Sequence, residues 1–197
     1  MNDDIENKHL VPNRECGSCT VCCRYPSIDN PDIVKLSNVA CKNLLEGGGC
    51  AIYKDRPDIC DKWFCAWRSM PHLGEEWRPD KIGVLIEFSR ENFPEPYFGK
   101  AGYQFTILDK QKLLSNKPLA IFIGAQISIG VPCTLSYGIE PGVIPATAFL
   151  NFALQEAVNK RNGQGIIQGL LKAIEASEEI PKEYLKIEDG HLISVSP

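Results

Sequence analysis

The chain lacks the features that mark several large protein classes. Its formal net charge is −4, so it has no excess of basic residues to attract nucleic acid or an anionic lipid surface. Its first ten residues carry three acidic side chains and no apolar run, which argues against a secretory signal. The most apolar stretch, residues 119–131, is too short to span a bilayer. These absences predict a cytoplasmic protein with no nucleic acid or membrane as partner.

Motifs for nucleotide binding and nucleophilic catalysis are also missing. The chain has no GxxxxGK[ST] loop and no GxGxxG after a strand. The three histidines, His9, His72 and His191, form no recognisable Cys–His or Ser–His–Asp arrangement. His72 is one candidate for a fourth ligand beside three thiolates, but a surface position after Pro71 fits it better. The sequence therefore indicates no catalytic residue and leaves open whether the chain is an enzyme.

Cysteine, by contrast, is abundant and clustered. Eight of the nine cysteines are predicted metal ligands: Cys16, Cys19, Cys22, Cys23, Cys41, Cys50, Cys60 and Cys65. In a reducing compartment such a cluster is more often a metal site than a set of disulfides. The alternative is the disulfide framework of a secreted protein, which the absent signal disfavours. The ninth, Cys133, stands alone and is interpreted as a small buried apolar residue.

The first four cysteines have the spacing C-x2-C-x2-C-C. A C-x2-C pair brings two thiolates to one ion, as in zinc sites, and a run of three wraps a [4Fe–4S] cluster in bacterial ferredoxins. The spacing alone does not choose between zinc and iron. Cys22 and Cys23 point in different directions in any regular backbone. We therefore expect two cysteine-ligated centres or one polynuclear centre.

The remaining ligands lie around a glycine run and a short predicted helix. Gly47–Gly49 lead directly into Cys50 and permit close approach of the backbone to a metal. Pro57 predicts the first turn of a helix, with Asp55 as its N-cap.

On a regular helix Cys60 and Cys65 would differ by about 140°, so they share an ion only if the helix ends or bends between them. Eight thiolates divide naturally into two sites of four, but the sequence does not give the pairing. Arg56 lies between two predicted ligands and is the basic residue that we single out to offset their charge.

This pattern resembles a known family. The run Cys16-x2-Cys19-x2-Cys22-Cys23, then Cys41, then Cys50-x-Ile52-Tyr53-x2-Arg56-Pro57-x2-Cys60, is similar to the cysteine-cluster (CxxCxxCC, YkgJ-like) family of zinc- or iron-chelating proteins. The resemblance covers residues 14–68, and it extends to the cysteine-rich part of flagellin lysine N-methylases. It implies chelation of zinc or iron, and it implies no particular reaction.

Composition predicts three regions: a flexible N-terminus (1–13), a cysteine-rich metal-binding domain (14–78) and an α+β domain (79–197). The second has few apolar runs and is expected to need a metal to fold. In the third, the patterns predict strands at 82–88, 103–107 and 121–131.

Two helices are expected near 149–158 and 166–174, with Gly163 ending the first. Asp189-Gly190 predicts a hairpin between YLKIE and HLISV. Together these patterns predict an α+β fold with a small metal-stapled region packed on a mixed strand and helix region.

Three functions fit the sequence. The first is a metal-binding protein whose cysteine domain is structural or a carrier. The second is an iron–sulfur redox or transferase enzyme that acts on a protein partner. The third is a zinc-stapled module that binds another protein. The substrate and the oligomeric state do not follow from the sequence.

Overall fold

The computed structural model describes residues 10–90 and 93–195. Their contacts divide them into two compact units. The cysteine-rich unit comprises residues 10–81, 139–144 and 182–195, and the sheet unit comprises the remainder of 82–181. Helices and a mixed sheet are both present, so the predicted α+β class is confirmed.

The secondary structure consists of short elements in the first half of the chain and longer ones in the second. The helices are α1 Val21–Arg24, α2 Asp58–Lys62, α3 Ala66–Ser69, α4 Pro79–Ile82, α5 Lys110–Leu114, α6 Lys117–Ser128, α7 Leu150–Asn159 and α8 Gly163–Glu179. The strands are β1 Ile28–Asn30, β2 Ile33–Lys35, β3 Val84–Ser89, β4 Gly102–Ile107, β5 Cys133–Tyr137, β6 Ala146–Phe149, β7 Tyr184–Glu188 and β8 His191–Val195. Within the described ranges, no helix is both long and apolar enough to cross a membrane.

The sheet unit is built on a four-stranded sheet in the order β3–β4–β5–β6. The outer pairs are antiparallel, and β4 and β5 are parallel because α5 and α6 form the crossover between them. The strands predicted at 82–88 and 103–107 are confirmed as β3 and β4. Helices α6, α7 and α8 pack on one another, and each of them contacts β5.

The strand predicted at 121–131 is wrong, because this segment lies mainly in helix α6. Asn116 caps the helix: its side-chain oxygen accepts a hydrogen bond from the Leu119 amide at 3.0 Å. Pro118 occupies the first turn, where its missing N–H costs nothing. These start signals lie just before the alternating stretch and favour a helix over a strand.

The apolar pattern within α6 fits both the helical period of 3.6 residues and the strand period of two, because nearly every position is apolar. Its buried residues follow helical spacing: Leu119, Ala120, Ile123, Gly124 and Ile127. Ile121, which the strand prediction placed inward, is 67% exposed. A Cβ on Gly124 would lie 2.8 Å from Ile166 Cδ1, so α6 and α8 approach closely at this glycine.

The two helices predicted after residue 148 are confirmed as α7 and α8. The apolar stripe predicted for α8 is buried at Ile166, Ile167, Leu170 and Ile174. Gly163 was predicted to end the first of these helices. In the structure α7 ends at Asn159, and Gly163 is the first residue of α8. Asn162 caps α8 by accepting a hydrogen bond from the Gly165 amide at 2.9 Å, and this polar residue before an apolar stripe was the start signal.

The predicted C-terminal hairpin is confirmed as β7 and β8, which pair antiparallel across Asp189-Gly190. Both turn residues have positive φ, 48° and 80°, as a two-residue type I′ turn requires. The contacts group this hairpin with the cysteine-rich unit, whereas the sequence boundaries placed all of 79–197 in the second domain. Backbone bonds to residues 139–144 account for the difference, among them Leu185 N to Gly142 O at 2.7 Å.

Candidate metal centre

The eight predicted ligands come from separate short segments of the cysteine-rich unit. Cys16 and Cys19 precede α1, and Cys22 and Cys23 lie within it. The Cys41 amide donates to the Cys23 carbonyl at 2.8 Å, which draws the second stretch of cysteines back to α1. All nine cysteines lie in the described residues and are free thiols.

The segment around Cys50 turns tightly, and its glycines explain how. Cys50 pairs with Leu44 in an isolated antiparallel bridge, and the chain between them reverses through the glycine run. Gly48 and Gly49 have φ of 90° and 88°, a region that disfavours residues with a Cβ. The glycine run therefore serves the backbone turn that positions Cys50.

The helix predicted to carry both Cys60 and Cys65 is interrupted between them. Helix α2 ends at Lys62, and Trp63 and Cys65 are extended. The predicted angle of about 140° between the two cysteines therefore does not apply to this chain. Asp55 is not the N-cap, because it lies in a 3₁₀ turn and Pro57 occupies that position.

We name four thiols set A, because the charges of Cys16 and Cys19 act on both Cys22 and Cys65: Cys16, Cys19, Cys22 and Cys65. The pKa of Cys65 is raised to about 11, mainly by burial, and the charges of Cys16 and Cys19 contribute to this rise. The pKa of Cys22 is raised by its hydrogen bond with Cys23 and by burial, and then by the charges of Cys23, Cys16 and Cys19. Each member of set A therefore lies within electrostatic reach of others.

We name the other four thiols set B, because the charges of three of them act on Cys60: Cys23, Cys41, Cys50 and Cys60. Burial raises the pKa of Cys60, followed by the charges of Cys41, Cys23 and Cys50. No cysteine of set A is among the main causes of the raised pKa of Cys60. Cys60 and Cys65 thus have different cysteine neighbours, although only four residues separate them.

The two sets adjoin at the vicinal pair Cys22 and Cys23. The thiol of Cys22 donates to the sulfur of Cys23, which lowers the pKa of Cys23 to about 6 and raises that of Cys22. The two sulfurs therefore lie side by side, although a regular backbone was expected to point these side chains in different directions. The charge of Cys23 also raises the pKa of Cys16, so Cys23 lies within electrostatic reach of set A as well as of set B.

Backbone amides point at several of these sulfurs. The amides of Arg68 and Trp67 approach the sulfur of Cys65, where they oppose the rise that burial causes in its pKa. The Asn43 amide donates to Cys41 Sγ at 3.4 Å. Amide N–H groups directed at sulfur are typical of thiolates that ligate metals, because they stabilise the negative charge.

Arg68 supplies a buried positive charge beside set A. Burial raises the pKa of Cys16, and the Arg68 guanidinium is the largest charge opposing that rise. Its Nε and Nη1 atoms are buried, and neither has a hydrogen-bond acceptor. Phe64 lies 5.5 Å from the guanidinium carbon. Unsatisfied buried donors are costly, so this side chain fits an anionic group at set A.

Lys35 supplies a buried positive charge beside set B. Only 4% of this residue is exposed, and its ammonium donates to the carbonyls of Arg24, Leu36 and Val39 at 3.0–3.1 Å. Burial lowers the pKa of Lys35 to about 8, and the charge of Cys41 is the strongest influence in the opposite direction.

Arg56, singled out from the sequence, lies near both sets. It pairs with Asp61, its Nε donating to Oδ1 at 2.8 Å, and it stacks on Tyr53 at 4.2 Å. Its charge opposes the burial that raises the pKa of Cys16 and of Cys60.

Sequence reasoning missed Lys35 and Arg78 as charge partners. Arg78 lies within reach of Cys16 and pairs with Asp80, its Nε 2.7 Å from Oδ1. Lys35 shares the buried face of β2 with Ile33, two residues earlier. That alternation was the available signal, but a three-residue strand is too short to recognise from sequence.

Trp67 belongs to the apolar core of the cysteine-rich unit. Trp67 is 3% exposed and donates to the Gly74 carbonyl at 3.0 Å. Arg14 lies over its ring and donates to the carbonyls of Met70 and Leu73. Trp67 therefore fixes the chain directly after Cys65.

Across residues 10–90 and 93–195, no group of three or more His, Cys, Asp or Glu side chains is arranged to hold a metal ion. Set A and set B are therefore not preformed metal sites. To bind a metal, the thiols of each set would have to lose their protons and their sulfurs would have to turn toward a common point. The donor chemistry fits a metal, since the thiols are accompanied by amides directed at sulfur and by two guanidinium atoms of Arg68 that have no acceptor. His72 is exposed, and His9 lies outside the described residues.

Comparison with known proteins yields no match to a family model, to a curated protein or to a solved structure. The resemblance to the cysteine-cluster family stays a prediction from the motif.

Proposed function

We propose that the chain is a metal-binding protein in which set A and set B each hold one centre through four thiolates, with zinc or iron as the metal. The observation that supports the proposal is the clustering of eight free thiols in the cysteine-rich unit, where the charges of other cysteines raise the pKa of Cys22, Cys60 and Cys65. Four thiolates are the ligand set of structural zinc sites and of iron–sulfur clusters.

The surrounding charges support this assignment. A divalent ion with four thiolates carries a net charge of about −2, so two such centres need several cations nearby. Five basic side chains lie within electrostatic reach of the cysteines: Arg24, Lys35, Arg56, Arg68 and Arg78. A thiolate sulfur at set A would also give the buried donors of Arg68 an acceptor.

A centre closed by four thiolates has no open position for a substrate. Such a site stabilises the fold without catalysing a reaction, because every ligand position belongs to the protein. We therefore propose a structural or carrier role in the cytoplasm, where thiolates stay reduced. A redox or transferase enzyme that acts on a protein partner, and a zinc-stapled interaction module, remain the alternatives.

Anaerobic purification followed by elemental analysis and a visible spectrum tests the proposal. We expect either two zinc ions per chain and a colourless protein, or iron with acid-labile sulfide and a brown colour. The Cys133→Ser variant is the matched control and should hold the same metal as the unmodified chain. A metal-free protein whose cysteines form native disulfides would refute the proposal. A single centre that needs all eight thiols would refute the division into two.

A further inference from the structure

A cluster of aromatic side chains lies at the surface of the sheet unit. Tyr97, Phe149 and Phe152 contact one another, with their ring centroids 5.1–6.0 Å apart. Phe93, which is 4% exposed, lies 6.3 Å from Phe149 and anchors the cluster in the core. Phe98 follows Tyr97 directly in the chain. We name these five residues the aromatic patch.

The outer rings of the aromatic patch are exposed to water, at 77% for Phe98 and 60% for Phe152. Two turns fix the loop that carries Phe98. The Tyr97 amide donates to the Pro94 carbonyl at 2.8 Å, and the Lys100 amide donates to the Tyr97 carbonyl at 3.0 Å. The Lys100 ammonium also lies 5.1 Å from the centre of the Tyr97 ring. An exposed aromatic surface that is already ordered favours binding, because a partner covers it at little cost in conformational entropy.

The charges around the aromatic patch indicate what kind of partner fits it. Residues 93–104 and 145–155, which form the patch and its borders, contain one acidic residue, Glu95, and one basic residue, Lys100. Both are exposed. A surface with this balance of charge has no general attraction for nucleic acid, an anionic membrane or a strongly charged peptide. It does match a second copy of itself, because a two-fold interface places residue i of each copy against residue j of the other.

We infer that the aromatic patch joins two copies of the chain into a two-fold dimer. Phe98 and Phe152 of each copy would pack against the rings of the other. Glu95 of each copy would pair with Lys100 of the other. A covered aromatic side chain buries about 150–250 Å², so four partly exposed rings supply less than the roughly 1,200–2,000 Å² of a standard interface. The dimer is therefore weak and reversible, and it does not depend on metal binding by the cysteines.

Sedimentation equilibrium of the full chain, in reducing buffer and over roughly 1–500 μM, tests the inference. We expect the unmodified chain to pass reversibly from monomer to dimer within this range. Phe98→Ser should raise the dissociation constant about tenfold or more, because truncation of a central aromatic residue removes a large part of the binding energy. Phe88→Ser is the matched control, since Phe88 is 54% exposed in the same unit but lies outside the aromatic patch. This control should dimerise as the unmodified chain does.

Charge reversal tests the two-fold pairing itself. Glu95→Lys and Lys100→Glu should each weaken the dimer about tenfold, since each variant places like charges opposite one another. An equimolar mixture of the two variants should associate again, because every lysine then faces a glutamate. A chain that stays monomeric throughout the concentration range would overturn the inference. A dimer that Phe98→Ser leaves intact, or a mixture that does not associate, would overturn it as well.

Discussion

Replacement of Cys65 by serine is expected to remove the set A metal and to destabilise the cysteine-rich unit on the order of 5 kcal/mol. That figure is a fraction of the roughly 10–16 kcal/mol with which structural zinc stabilises small domains. The reason is that Cys65 joins the ligands near α1 to the buried run that begins with Ala66 and Trp67. Metal content by elemental analysis and unfolding by circular dichroism measure the two effects.

Cys133→Ser provides the control for this substitution. Cys133 is also buried, and its thiol contacts the Val131 carbonyl at 3.6 Å, a bond that a serine hydroxyl can replace. We expect a loss of about 1–2 kcal/mol in the sheet unit and no change in metal content. If the Cys65→Ser variant kept both metals, or if both variants lost metal equally, Cys65 would not be a ligand.

Substitution of Arg68 by methionine is expected to act in opposite directions on the metal-free and metal-loaded chains. Without metal, the change removes buried donors that have no acceptor, so the free energy of unfolding should rise by about 1–2 kcal/mol. With metal, it removes a cation beside Cys16, so the affinity of set A should fall about 10–100-fold. Competition with a chromogenic chelator and urea unfolding of both forms measure the two changes.

Lys54→Met is the matched control for Arg68→Met, because Lys54 lies in the same unit but is exposed. It should leave both the metal affinity and the metal-free stability within about 0.5 kcal/mol of the original values. A loss of stability in the metal-free Arg68→Met chain, with unchanged affinity, would show that Arg68 packs against Phe64 and does not balance charge at set A.

The longer elements were predictable from sequence because pattern and end signals agree there. Helix α8 has an uninterrupted apolar stripe, and the hairpin has Asp189-Gly190 between two alternating runs. Helix α6 was mistaken for a strand because its apolar residues surround the helix, so that only Asn116 and Pro118 marked its start. Hydrophobic periodicity does not distinguish a helix from a strand where no polar residues mark the solvent-facing side.

The identity of the candidate ligands followed from sequence, but their grouping did not. Cys60 and Cys65 do not share a helix because α2 ends at Lys62, and no residue there marks the end by its own preference. The buried charge of Lys35 was hidden for a similar reason, since its role depends on carbonyls brought together by tertiary structure. These carbonyls lie only 1, 4 and 11 residues from Lys35, but they are main-chain groups, so no side-chain pattern in the sequence marks them.

X-ray absorption spectroscopy at the K-edge of the bound metal tests the central claim most directly, because it identifies the ligand atoms themselves. Two four-thiolate centres predict a first shell of four sulfur atoms at about 2.3 Å from each metal and no nitrogen or oxygen ligand. Additional scattering between metal atoms would identify clusters, and its absence would identify isolated ions. A first shell that contains nitrogen or oxygen, or fewer than four sulfurs for each metal, would contradict the assignment of set A and set B.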